Sequence, residues 1–211
     1  ARCGLLSDTE VFDDFPARYH AYARREHRWV RGVWQLLPWL GRTVPTAHGD
    51  RPNPLPLVER WKLLDNLRRS LVPPALIVML ALGWTVAPGS PWLWTIVALI
   101  VLALPLLKWI IGVSLNSARS GKLTPFKSWR ESIPSMGGQA ILSAITLADQ
   151  AASMCDAIGR TLWRLLVSRR RLLEWEPAAS TDQRLGTGFL DFLRGMKAAP
   201  LTAVVIGLAV L

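Results

Sequence analysis

Cysteine, histidine and, over one long stretch, charge of either sign are what this 211-residue chain lacks. Two cysteines, Cys3 and Cys155, are too few to staple a secreted disulfide scaffold. His20, His27 and His48 are the only histidines and have no partners at metal-ligand spacing. Neither GxSxG nor HExxH occurs, so there is no case for a hydrolase nucleophile or a zinc enzyme. Between Ser70 and Leu107 there is no charged residue in 38 positions. Such a run is too long for a core helix and long enough for two membrane crossings of about 20 residues each. With 51% hydrophobic and 19% charged residues, the chain is neither a plain soluble globule nor a disordered segment.

What is present is a membrane chain with basic edges. The formal net charge is +10. Residues 1–16 read as the end of a helix and a short strand closed by Pro16. In Ala17–Leu40, Tyr22, Trp29, Val33 and Leu36 or Leu37 recur at three-and-four spacing, with Arg24, Arg25, Arg28 and Arg31 between them. That pattern predicts an amphipathic helix with a strongly basic side. Gly41–Pro56 reads as a loop by its Gly, Pro and Asn content. From Leu57, a face of Trp61, Leu64, Leu67 and Leu71 opposes Arg60, Lys62, Asp65, Arg68 and Arg69, the composition of a helix lying in a bilayer interface. The expected organisation is therefore interfacial helices over 17–70, a transmembrane hairpin over 71–113 with its turn at Pro88–Pro91, and an amphipathic helical segment over 114–197.

The hairpin turn is uncharged, whereas Arg68 and Arg69 precede the hairpin and Lys108, Arg119, Lys122, Lys127 and Arg130 follow it. The positive-inside rule then places both flanks, Ala1–Arg69 and Lys108–Lys197, on the cytoplasmic side. Trp84, Trp92 and Trp94 cluster by the turn, at the expected level of the lipid headgroups. Ile141, Ile145, Ala148, Ala152, Cys155, Ile158, Leu162 and Leu165 repeat at three and four, predicting one long helix from Gly138 to Trp175. Residues 198–211 open a further apolar run that stops after about 14 residues, short of a span. That ending, with Ala1 in place of a starting Met, gives the expectation of a fragment.

Chemistry is concentrated in few places. Asp8, Glu10, Asp13 and Asp14 superficially resemble paired acids holding a divalent metal, but short acidic runs before a proline are commonly solvated loop ends. Arg24 to Gln35 is richer, with four arginines and two tryptophans in twelve residues. Arginine presents a planar fork suited to phosphate oxygens, and Trp a flat face that stacks on a sugar or a base. Composition alone favours an interfacial anchor, with Arg on lipid phosphate and Trp at the glycerol level. It also accommodates a small polytopic membrane protein whose basic helices bind anionic lipid or a partner subunit. Nucleic acid is not an expected partner, because the basic residues flank spans instead of forming one soluble patch.

Arg25-x-x-Arg28-Trp29 resembles the (Q/R)xxRW signature of processive, membrane-embedded glycosyltransferases of the cellulose-synthase type. More narrowly, RREHRWVRGVWQLLPWL, NPLPLVERWKLLDNLRRSLVPPAL and TLWRLLVSRRRLLEW together resemble the bacterial cyclic β-1,2-glucan synthases, in order and over nearly the whole chain. The resemblance implies a mainly α, integral membrane fold, in which 1–16 is the tail of an α/β glycosyltransferase domain, within a large inner-membrane enzyme. That enzyme transfers glucose from UDP-glucose to a growing β-glucan acceptor. The resemblance also implies that Arg25 and Arg28 serve the nucleotide diphosphate and Trp29 the acceptor glucose. It implies a divalent metal, Mg or Mn, whose ligands and the general base lie outside this chain. By the same token this piece is expected to be inactive alone, its expected partners being the lipid bilayer and the rest of the same polypeptide. Where the family pattern reads RGDWQ, the chain has Arg31-Gly32-Val33-Trp34-Gln35, with Val33 at the acid's position.

Overall fold

A computed structural model describes residues 18–46, 49–120, 125–170 and 196. The strand and acids expected within 1–16, the cluster beyond Arg170 and the apolar run 198–211 lie outside the described residues. Helix α1 spans Tyr19–Gln35. It ends ahead of Pro38, which has no backbone N–H for an i−4 carbonyl, and Leu37–Leu40 tightens into a 3-10 turn. The region expected to be a loop contains a small antiparallel hairpin, β1 (Thr43–Thr46) paired with β2 (Gly49–Pro52). Gly49 takes a φ of 95°, a conformation open to glycine at little cost. Asn53 secures the hairpin's base by donating from Nδ2 to the carbonyls of Trp39 (2.6 Å) and Gly41 (2.9 Å).

Helix α2 (Leu57–Thr85) runs without interruption across residue 70, joining the basic amphipathic part to the apolar part. Its first half carries its own ion pairs, Lys62 with Glu59, and Arg68 and Arg69 with Asp65, each at 2.8 Å. Trp61 and Leu64 remain exposed and Leu67 is buried, so most of this apolar face is not covered by protein. A turn through Gly89, with φ 98°, leads to α3 (Pro91–Ser120). Both α2 and α3 are long and apolar enough to cross a membrane. Trp84 and Trp92 meet edge to face beside the turn, with ring centroids 5.8 Å apart, and Trp84 Nε1 donates to Thr95 Oγ1 at 3.0 Å.

The single helix expected over 138–175 is two. Helix α4 (Pro125–Ile145) packs along α3, and α5 (Leu147–Trp163) packs under α1 and α2, with a 67° change of direction between them. Thr146 marks the break. Its hydroxyl donates back to the Leu142 carbonyl at 2.7 Å, a bond that bends helices, and Gln150 Nε2 donates to that hydroxyl at 2.7 Å. The packing face of α5 also differs from the expected stripe. Leu147, Ala151, Met154, Ala157 and Thr161 are buried, whereas Ile141, Ile145 and Cys155 are exposed. The reason is close approach: Ala157, with no exposed surface, lies against Val30 of α1, where a longer side chain has no room. A five-residue π turn, Arg164–Ser168, closes the described part of α5 and ends at Arg169 with φ 49°.

Candidate functional site

The helix carrying the Arg and Trp residues is held from one side. Val30 is buried with Met154 and Ala157, and Trp34 and Ile158 close over them. Three polar bonds add to this apolar seam. Tyr19 donates its hydroxyl to Asp149 Oδ2 at 3.0 Å, His27 Nε2 meets Asp156 Oδ2 at 2.9 Å, and Trp34 Nε1 donates to Ser70 Oγ at 2.9 Å. The first two tie α1 to α5 and the third ties it to α2. Ser70 donates in turn to the Leu67 carbonyl, and Asp156 also takes a hydrogen bond from the exposed Arg160. Tyr19, His27, Val30 and Trp34 share one side of a 3.6-residue helix, so α1 is anchored along nearly its whole length.

Arg25, Arg28 and Trp29 fall on the opposite side. Trp29 is 66% exposed, and the Arg25 guanidinium lies over its ring, 5.2 Å from the centroid. This is a cation–π contact one helical turn long, contributing about 0.5–1 kcal/mol at an exposed site. Arg28, at i+3 from Arg25, is half-buried beside them. At Gly32, one turn beyond Arg28, an added Cβ would meet nothing within 4 Å. Of the three residues singled out in the sequence, Arg25 and Trp29 are in contact as a guanidinium lying on an aromatic plate, and Arg28 follows one helical turn after Arg25.

Other ionisable groups of α1 are shaped by burial. Burial, reinforced by Asp149, pushes the Tyr19 phenol far above its usual range, so it remains a donor at any physiological pH. Burial with the neighbouring Glu26 carboxylate pushes Tyr22 up to about 12. Burial also holds the Glu26 carboxyl above the usual carboxylate range, against the opposing effect of its hydrogen bond with Tyr22. Both tyrosines line a cavity of about 510 Å³ between α1, α3 and α4, with Leu102 and Leu106 on one wall and Gln139 and Ser143 on another.

Among the described residues, no three His, Cys, Asp or Glu side chains gather where they would hold a metal ion. The described part of the chain thus does not fit a divalent cation as a ligand set. The sequence singled out Arg25, Arg28 and Trp29 but not the anchors Tyr19, Ser70, Asp149 and Asp156. The spacing of Tyr19, His27 and Trp34 marks a second face on α1, but nothing along the chain says which helix meets it.

No protein-family model matches the chain. A cyclic beta-(1,2)-glucan synthase, NdvB, from Rhizobium meliloti (strain 1021) is 38% identical to it over 208 residues. The match takes in 97% of this chain but only 7% of that protein's length. Identity at this level, held over so long a segment, carries the fragment-like resemblance read from the RxxRW helix and its neighbours: the chain is a relative of the cyclic β-1,2-glucan synthases, corresponding to one short segment of such a protein.

Proposed function

We propose that this chain is part of a membrane glycosyltransferase that moves glucose from UDP-glucose onto a growing β-1,2-glucan. In this reading α1 provides the acceptor-side surface, and α2 and α3 anchor it in a bacterial inner membrane with α1 on the cytoplasmic side. The observation that carries the reading is the placement of Arg25, Arg28 and Trp29 together on the outward side of a helix whose other side is fastened to the membrane hairpin. A sugar ring stacks on Trp29, holding its hydroxyl in line with the anomeric carbon under attack. As the glycosidic bond forms and the bond to UDP breaks, negative charge grows on the leaving diphosphate, and the guanidinium groups of Arg25 and Arg28 stabilise it. Arg25 now covers one face of the Trp29 ring, so a sugar taking that face displaces the guanidinium towards the diphosphate. The metal ligands and the base belong to other parts of the polypeptide, so this segment by itself does not turn over UDP-glucose.

The test is made in the full-length enzyme. Trp29→Ala abolishes chain elongation while membrane insertion and expression stay intact, as followed by incorporation of labelled glucose into glucan by membranes. Arg28→Lys is nearly as severe, since an ammonium does not reproduce the guanidinium fork. Glucan synthesis at the wild-type rate by Trp29→Ala would refute the acceptor role.

A further inference from the structure

Helix α4 has an apolar outer surface that stays exposed among the described residues. Ile141 is 64% and Ile145 66% exposed, with Ile133 and Leu142 also open. Within the same stretch, Ser132 to Ala148 contains no charged residue. The far end of α4 is not on the margin of the membrane hairpin. Leu147, the residue after the break, is buried in one cluster with Leu76 of α2 and Ala98 of α3. At 1.5 Å per residue, Leu76 lies about 13 Å and Ala98 about 10 Å from the turn end of the hairpin. In a hydrocarbon layer about 30 Å thick that is close to the midplane. From there α5 leads back: Met154 and Ala157 pack with Val30 and Trp34, and Trp34 bonds to Ser70, the residue after Arg68 and Arg69. Ser70 is about 22 Å from the turn end, past the midplane and towards the side on which Arg68 and Arg69 lie.

We propose that α4 and α5 form a re-entrant element. Helix α4 enters the bilayer from the side where α3 emerges, with its Ile141 and Ile145 face against lipid acyl chains, and the chain turns at Thr146 and leaves on the same side. Length agrees, because Ser132 to Ile145 is about 21 Å of helix, enough to reach the middle of the layer and too short to cross it. A turn at such depth needs its polar groups satisfied by protein, since lipid offers no partners. Here the Thr146 hydroxyl bonds to the Leu142 carbonyl and to Gln150, the Thr146 N–H reaches the Leu142 carbonyl, and Asp149 takes the Tyr19 hydroxyl. The occupant of the open face is lipid because α4 packs on α3, a helix long and apolar enough to span the membrane whose own Leu104, Leu107 and Ile111 are uncovered.

The experiment is cysteine accessibility in the membrane-bound protein, with Cys3 and Cys155 first replaced by serine. Single substitutions Arg119→Cys, Ile141→Cys, Ile145→Cys and Arg160→Cys are challenged with a charged, membrane-impermeant maleimide in vesicles of both orientations. Arg119→Cys and Arg160→Cys label from the same side. Ile141→Cys and Ile145→Cys react at least tenfold more slowly than Arg160→Cys from either side, yet label with a lipid-permeant maleimide. Labelling of Ile141→Cys from water at the Arg160→Cys rate would mean a surface helix, and Arg119→Cys and Arg160→Cys on opposite sides would mean a full crossing. Either overturns the proposal. Hydrogen exchange of the unsubstituted protein in phosphatidylethanolamine–phosphatidylglycerol vesicles gives an independent check. Amides of 132–146 are protected as strongly as those of α3, and exchange there as fast as in 164–168 would overturn the proposal as well.

Discussion

Gly83 is a point of close approach in the α2–α3 hairpin, and replacing it with alanine is a sharp test of the α2–α3 packing. A Cβ at this position would stand 2.4 Å from Cγ, 2.5 Å from Cβ and 2.7 Å from Cδ1 of Trp94. Ordinary carbon–carbon contact is about 3.5–4.0 Å, so the overlap exceeds 1 Å. Turning Trp94 about χ1 does not relieve it, because the Trp94 Cβ is fixed to the α3 backbone and is itself too close. The two helices must separate by about 1 Å near the turn, an overpacking cost of about 2 kcal/mol. For a domain of this size that corresponds to a fall in melting temperature of about 4–8 °C. The strain also reaches Trp84, which meets Trp92 and donates to Thr95 across the same seam. The assay is thermal unfolding of the detergent-solubilised protein followed by tryptophan fluorescence, beside Gly112→Ala, whose added Cβ meets nothing within 4 Å. Equal melting temperatures for the two variants would refute the close approach of α2 and α3.

Other expectations concern the fastening of α1. Tyr19→Phe leaves the buried Asp149 carboxylate without that donor and costs about 1–3 kcal/mol, visible as faster hydrogen exchange over the first turns of α1 while α3 is unchanged. Trp34→Phe keeps the apolar seam but loses the bond to Ser70, costing about 1 kcal/mol and raising the apparent KM for acceptor in the full-length enzyme more than it lowers expression. Glu26 supplies a pH dependence. Its folded-state pKa is raised by burial, so its favourable contribution is present below the unfolded value of about 4.3 and is lost as pH rises through the folded value. Glu26→Gln removes that loss, and its melting temperature gains on the wild type between pH 4 and pH 7; a difference that stays constant over that interval would contradict the assignment.

Legibility in the sequence followed the range of the interactions. The two apolar helices were readable because 38 uncharged residues are a local property, and the turn was readable because Pro88-Gly89-Ser90-Pro91 has few other uses. The break at Thr146 was not, since Ile141, Ile145, Ala148 and Ala152 continue a helical period straight through it. Period reports which residues share a side only while the axis is straight, and a hydroxyl bonded back to Leu142 and on to Gln150 changes the axis without disturbing the pattern. The hairpin over 43–52 was hidden for another reason. Its strands are four residues each and, Val44 apart, exposed, so they carry no alternation to detect. The Arg25–Trp29 contact was legible because the two are helical neighbours, whereas Asp149 and Asp156 lie about 130 positions from their partners.

The anchoring of α1 explains why an exposed tryptophan can be a defined surface. A Trp with 66% of its area open would ordinarily sample several rotamers, and a platform that moves cannot hold a hydroxyl in line. Here the backbone under Trp29 is fixed on both sides along the chain, by His27 on Asp156 two residues before it and by buried Val30 immediately after it. Arg25 restricts the ring further by lying across it. If Trp29 serves as the proposed acceptor platform, its rigidity comes from the opposite side of α1. On that proposed role, substitutions at Tyr19, Trp34 or Ala157 should weaken transfer by the full-length enzyme through the orientation of Trp29, although all three lie on the opposite side of α1 or on α5.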